Sequence, residues 1–389
     1  MDVLVYGDTL TAPALRHEVP LAIGDSFLYL ESDGRRAVLT NALEDERIAR
    51  ADSGLERILG EELGRDELIE QGLSYSAIDL ELCVRAVARF GLKAATVPAG
   101  FPLALADRLR GAGIELTADD ELFVERRRRK SAAEMAGIRR ASNAAMAAMG
   151  AAATMLGESS INGDHLVSGG ETLTSERVRE RVREACGRAG APAPADIMIK
   201  PMGPDLQGGH EPGSGPLPPH VPIEIDLWPQ DEQSGCWSDM TRTFVRGEVS
   251  DAIAELYELV LNAHEQACAA VAVGAQGPRL YGIACDVFEA AGYPTGRSKQ
   301  PGQLLREGFY FALGHGVGLE VHEAPYLGRA GHDTLIEGDV IAIEPGTSKP
   351  GLGGCRVEDV IVVTAAGGTR LTGAFPYDLV AERVSAPPR

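Results

Sequence analysis

Two pairs of acidic residues set in strongly apolar segments constrain this chain more than any other feature. In Val221-Pro222-Ile223-Glu224-Ile225-Asp226-Leu227-Trp228 the apolar side chains alternate with acids. On a strand, Ile223, Ile225 and Leu227 take one face, and Glu224, Asp226 and Trp228 the other. The next apolar segment, Trp237 to Arg246, carries Asp239, and a hairpin centred near Glu232 and Gln233 sets Asp239 directly opposite Asp226. Further on, Glu344 in Val340-Ile341-Ala342-Ile343-Glu344-Pro345-Gly346 and Glu358 in Cys355-Arg356-Val357-Glu358-Asp359 are symmetric about Gly351, inside a turn-rich segment. A single acid in such a strand reads as an edge position facing water. Two symmetric pairs do not, because like charges directly opposed destabilise a ladder unless a cation lies between them.

The elements around these pairs repeat. Helical spacing runs over Ser131–Leu156 and Ser175–Arg188, followed by strands near Ile197–Lys200, Pro222–Trp228 and Trp237–Arg246. Helices return at Ser250–Val271 and Leu280–Ala291, and strands at Phe309–Leu313, Asp339–Glu344 and Cys355–Thr364. Two helices and a hairpin, given twice, predict a pseudo-symmetric α+β domain. Residues 1–125 read instead as a smaller α/β domain, with a hairpin over Ser26–Thr40, helices over Asp79–Phe90 and Ala104–Arg110, and short strands between. The basic run Arg126-Arg127-Arg128-Arg129-Lys130-Ser131 reads as a solvated linker over 126–131 into a helix capped near Ser131, with the second domain spanning 132–389.

A formal charge of −20 would repel a phosphate backbone and excludes general nucleic-acid binding. The six cysteines show no paired spacing, as expected for reduced thiols, and neither a signal-like N-terminus nor a membrane-length apolar stretch occurs. The expectation is a cytoplasmic protein with no membrane partner.

A nitrogen ligand is available in Gly314-His315-Gly316-Val317-Gly318, with His322 seven residues on. Four carboxylates and an imidazole form a hard ligand set suited to two divalent ions such as Mn, Co, Fe or Zn bridged by carboxylates and a water, and not to a structural zinc site.

At these residues the chain resembles the pita-bread metallopeptidases, the superfamily of methionine aminopeptidase, aminopeptidase P, prolidase and creatinase. The likeness covers roughly residues 131–385, and the part before it resembles the N-terminal domain of the creatinase, prolidase and aminopeptidase P branch. It implies metal ligation by Asp226, Asp239, His315, Glu344 and Glu358, with two divalent ions, manganese the expected pair. It also implies that Glu344 accepts the proton of a bridging water, and that His322 and His210 face substrate. The Arg-x-Glu-Asp signature of Arg356 and Glu358 resembles aminopeptidase P and prolidase, implying proline-containing peptides as substrates and a homodimer. Arg356 is expected to orient Glu358 or hold substrate. In this chain Cys236 stands where the family has a tyrosine, and reads as a small buried residue. Asp226 and Asp239 bracket an enlarged loop. Two alternatives stay open: a creatinase-like hydrolase that works without metal, and a non-catalytic pita-bread binding protein.

Overall fold

The computed structural model describes residues 2–205 and 211–384, so His210 lies outside the described residues. The chain divides into two compact units, Met1–Arg127 with Gln233–Gly235, and Arg128–Glu232 with Cys236–Arg389.

The first unit is built on a six-stranded sheet of β1 (Val3–Gly7), β2 (Phe27–Ser32), β3 (Arg35–Thr40), β4 (Glu56–Leu59), β5 (Ala94–Val97) and β6 (Glu115–Ala118), in the order β4-β3-β2-β1-β5-β6. Its central strands are apolar at consecutive positions, and alternation deals those side chains to two cores. Leu4, Leu28 and Leu30 pack with Leu82 and Ala86 of the helix Tyr75–Phe90 on one side. Val3, Val5 and Tyr29 pack with Leu15 and Phe123 on the other.

The second unit repeats a helix pair followed by a sheet. The helix Ala132–Gly157 starts at a capping box of Ser131 and Glu134, and Ser175–Arg188 at a Thr174 cap. The small side chains Ala145, Ala148, Ala152 and Ala153 pack in one core with Val178, Val182 and Cys186 of the second helix. After the small sheet β7 (Ser160–Asn162), β8 (His165–Ser168) and β9 (Glu171–Thr172) come β10 (Met198–Pro201), β11 (Ile223–Leu227) and β12 (Met240–Phe244), paired in that order. The helices Asp251–Ala269 and Gly277–Ala290 then lead to β13 (Gly314–Gly316), β14 (Glu323–Leu327), β15 (Val340–Ile343), β16 (Gly346–Lys349), β17 (Gly353–Arg356), β18 (Asp359–Thr364) and β19 (Gly367–Arg370). The larger sheet runs β14-β13-β15-β18-β19, with β16 and β17 extending its hairpin.

Three expectations are corrected. The basic run is not a solvated linker: Asp120–Arg128 is a helix, Arg126 bonds Glu18 and Glu31, and Arg128, 4% exposed, is bidentate to Asp339 at 3.0 and 2.7 Å. Phe309–Leu313 is not a strand. Phe309 makes an isolated bridge to Thr295 and packs its ring 5.1 Å from Phe288 and 5.2 Å from Phe311, and the regular strand begins at Gly314. Cys355–Thr364 is two strands, interrupted at Val357 and Glu358, which frees Glu358 from regular pairing. No helix among the described residues is long and apolar enough to cross a membrane.

Candidate metal centre

Alternation on β11 buries Ile223, Ile225 and Leu227 in the core and turns Glu224 and Asp226 to the other face. The hairpin register differs from the expected one. Asp226 pairs with Thr241 and Leu227 with Met240, so Asp239 is a diagonal neighbour of Asp226 on the same face, not its direct opposite. The turn closes with Asp231 N donating to Cys236 O at 2.8 Å and takes its left-handed residue at Gly235 (φ 76°), in its second half. That placement shifts the centre of the hairpin toward the C-terminus, which a midpoint taken between the two acids cannot register. On the second hairpin the expected opposition holds: Ile343 pairs with Asp359 and Gly346 with Arg356, which sets Glu344 across from Glu358.

The structure brings Asp226, Asp239, His315, Glu344 and Glu358 together. Donor atoms of Asp226, Asp239 and Glu358 lie within 4.8 Å of one another, as do those of His315, Glu344 and Glu358, and those of Asp239, His315 and His322. His315 Nδ1 lies 3.1 Å from the Gly316 carbonyl, which turns Nε2 inward, 3.5 Å from Glu344 and 3.8 Å from Asp239. His322 is exposed, its ring edge-on to His315 with centroids 4.3 Å apart.

Arg356 does not orient Glu358. Its Nη1 donates to Glu344 Oε2 at 3.1 Å, and Nη2 bonds Asp226 Oδ2 and lies 3.3 Å from Glu224 Oε1. Glu358 is held from elsewhere, by the Thr241 hydroxyl on its Oε2 at 2.8 Å. Thr241 and Glu224 are functional neighbours that the sequence reading passed over. Glu224 shares its strand face with Asp226, so alternation was enough to find it, whereas nothing in the sequence ties Thr241 to Glu358.

The electrostatics are those of a site built for cations. Burial and the nearby Asp226 push the Asp239 carboxyl well up, and burial with Asp239 does the same to Glu358. Burial disfavours charge on His315, but Glu344 and Asp239 outweigh it and raise the imidazole to about 9. Asp226 Oδ1 and Glu358 Oε1 are buried without a hydrogen-bond partner. Orphaned carboxylate oxygens in a cluster of buried acids fit divalent ions, whose binding would release protons from Asp239 and Glu358, the two carboxyls pushed up by burial. One side of the site opens on a cavity of about 470 Å³ lined by Met198, Met202, Tyr310 and Phe311 as well as His315, His322, Glu344 and Arg356. Cys236 is fully buried and packs with Ile138, Val317 and Leu319.

Behind Glu358, Asp359 accepts from Arg242 at 2.9 Å and from Thr372 at 2.7 Å, bonds the Tyr377 hydroxyl, and lies 3.4 Å from His264 Nε2. Burial pushes His264 down to about 4, with Asp359 opposing and Arg242 and Arg370 reinforcing the shift. The fold therefore binds fewer protons here than the unfolded chain between pH 6.5 and 4. This contribution to stability is complete above pH 6.5 and lost as pH falls toward 4, by about 3 kcal/mol. Urea unfolding read by tryptophan fluorescence is expected to show the wild type losing about 2–3 kcal/mol more than H264Q between about pH 7 and 4.5.

Residues 136–365 match metallopeptidase family M24. A stretch of 137 residues is 41% identical to the Xaa-Pro dipeptidase of Pyrococcus furiosus, covering 35% of this chain and 35% of that protein. The prolidase structure from Pyrococcus horikoshii OT3 superposes with a TM-score of 0.71 at 25% identity, covering 95% of this chain and 93% of that one. The X-Pro aminopeptidase structure from Thermotoga maritima MSB8 reaches 0.77 at 19% identity over 97% of each chain, a likeness of fold. The chain thus has the α+β pita-bread fold with a smaller α/β unit before it, and it belongs to metallopeptidase family M24.

Proposed function

We propose that this protein is a metal-dependent hydrolase of peptides with proline after the scissile bond, with Asp226, Asp239, His315, Glu344 and Glu358 holding two divalent ions. The observation that carries this reading is the convergence of four carboxylates and one imidazole on a cavity edge, with Asp226 Oδ1 and Glu358 Oε1 left without partners. Such ions would lower the pKa of a nucleophilic water and polarise the scissile carbonyl. Glu344, beside His315 and Arg356, takes the proton from the attacking water and returns it to the leaving nitrogen. Arg356 holds Asp226 and Glu344 in place and offsets part of their charge. His322, at the cavity, donates to the developing oxyanion, and a substrate-side role for His210, which lies outside the described residues, rests on the family resemblance alone. The proline linkage rests on the relatives named Xaa-Pro dipeptidase and prolidase. Manganese as the metal and a homodimeric assembly complete the proposal and rest on the same resemblance, and a cytoplasmic setting rests on the unpaired cysteine spacing.

An Xaa-Pro dipeptide and an Xaa-Pro-Xaa tripeptide, each assayed with manganese and with chelator, test the reading. Cleavage that requires the metal is expected. Release from the dipeptide alone marks a dipeptidase, release from the tripeptide an aminopeptidase, and no metal-dependent cleavage of either overturns the proposal.

A further inference from the structure

Lys130 ends the basic run, yet its side chain is only 3% exposed and pairs with Glu323, itself 2% exposed. Glu323 directly follows His322 and opens β14. Its second carboxylate oxygen accepts the Glu320 N–H at 3.4 Å, Gly318 N donates to Glu320 O at 3.0 Å, and Trp237 N donates to Gly318 O at 2.7 Å. The connection from His315 to His322 is therefore folded directly over this ion pair. Gly318 is the point of closest approach: a Cβ there would overlap the Glu323 carboxylate and sit 2.9 Å from Lys130 Cε.

We propose that the buried Lys130–Glu323 pair is a positioning device for His322, a role that rests on His322 facing the substrate as described above. His322 is the bend residue immediately before β14, so a Glu323 pinned inward at the first position of the strand anchors the backbone that carries His322 to the cavity and edge-on to His315. Stability alone does not account for such a pair, because desolvating two charges offsets most of what their attraction returns and an uncharged pair of similar size packs as well. What the ion pair adds is direction: the ammonium and the Glu320 N–H fix the carboxylate from two sides, and the backbone at His322 follows.

The test is K130M/E323Q, which keeps an unbranched side chain at 130, one atom shorter, and the acceptor for Glu320 while removing both charges. In the zinc-loaded protein the His322 ring resonances are expected to shift or broaden, with metal stoichiometry and Tm unchanged. On an Xaa-Pro substrate kcat/KM is expected to fall about 10–100-fold, as displacement of a group facing the reaction centre does. In an H322N background the same pair of changes is expected to cost nothing further. Unaltered ring resonances, or an equal loss with and without His322, overturn the proposal. If K130M/E323Q does not fold, E323D, which keeps both charges but draws the carboxylate back by one methylene, must shift the same resonances, and an unchanged spectrum overturns it equally. A wild type that cleaves no Xaa-Pro peptide defeats the functional reading, while the ring resonances still decide the role of Lys130.

Discussion

Replacing Asp239 with Asn is expected to abolish metal loading and hydrolysis together, with kcat/KM reduced by about 10³-fold or more, equivalent to roughly 4 kcal/mol of transition-state stabilisation. Asp239 takes part in two of the donor groups, one with Asp226 and Glu358 and one with His315 and His322, so its loss weakens both at once. Asparagine preserves the shape and one oxygen, but neither the charge nor the bridging capacity of a carboxylate. The stability effects are expected to have opposite signs in the two states. Without metal, burial and the nearby Asp226 hold the Asp239 carboxyl well above the usual carboxylate range, so near neutral pH the fold takes up a proton that the unfolded chain does not, a cost to stability that an asparagine does not carry, and Tm rises. With metal, the wild type gains binding free energy that D239N does not, and the order reverses. Elemental analysis, Tm with and without manganese, and peptide hydrolysis read these outcomes. A variant that still binds two ions and still cleaves peptide contradicts the assignment of Asp239.

Much of this site was legible because strand alternation and hairpin symmetry are local rules. Ile223, Glu224, Ile225 and Asp226 sort to faces by position alone, and Glu344 falls opposite Glu358 because the turn around Gly351 is symmetric. The same rule misplaced Asp239, since the register of that hairpin follows the conformation of Gly235 and not the midpoint between two acids. Where local rules fail, the cause is separation along the chain. Arg128 and Lys130 look like surface charges because they stand in an unbroken basic run, and their partners Asp339 and Glu323 lie 211 and 193 residues away. Arg356 presented a related problem: its distance of two residues from Glu358 suggested that it served Glu358, but neighbours two apart on a strand share a face without pairing. The strand break at Val357 and Glu358 separates them, and the guanidinium reaches across to β11 instead. Thr241 and Arg242 carried no signal at all, because an ordinary polar pair within a strand acquires its role only when β12 meets the segment of Glu358 and Asp359.

Arg242 is expected to be the most costly single residue to remove from this unit. It is fully buried, donates from Nη1 to Glu358 O at 2.6 Å and Thr241 O at 2.9 Å, from Nη2 to Asp359 Oδ1 at 2.9 Å and from Nε to Pro376 O at 3.3 Å, and its guanidinium lies 4.4 Å from the Tyr377 ring centroid. R242M keeps most of the volume but leaves the Asp359 carboxylate without its cation and the carbonyl groups without donors. Truncating one partner of a buried pair costs about 3–5 kcal/mol, most of it the penalty of the stranded charge. Both tryptophans, Trp228 and Trp237, lie in the same unit, so urea unfolding followed by their fluorescence reports that loss directly. Adding D359N to R242M is expected to restore about half of it, because the asparagine carries no unpaired charge and its one oxygen still accepts from either Thr372 or Tyr377, its amide nitrogen donating to the other hydroxyl. Metal affinity is expected to fall with R242M and not to recover in the double variant, since the donor to the Glu358 carbonyl is absent from both. Recovery of affinity in parallel with stability would instead mean that Arg242 acts only by neutralising Asp359, and an R242M protein that unfolds at the wild-type urea concentration would show that the guanidinium does not hold this region together.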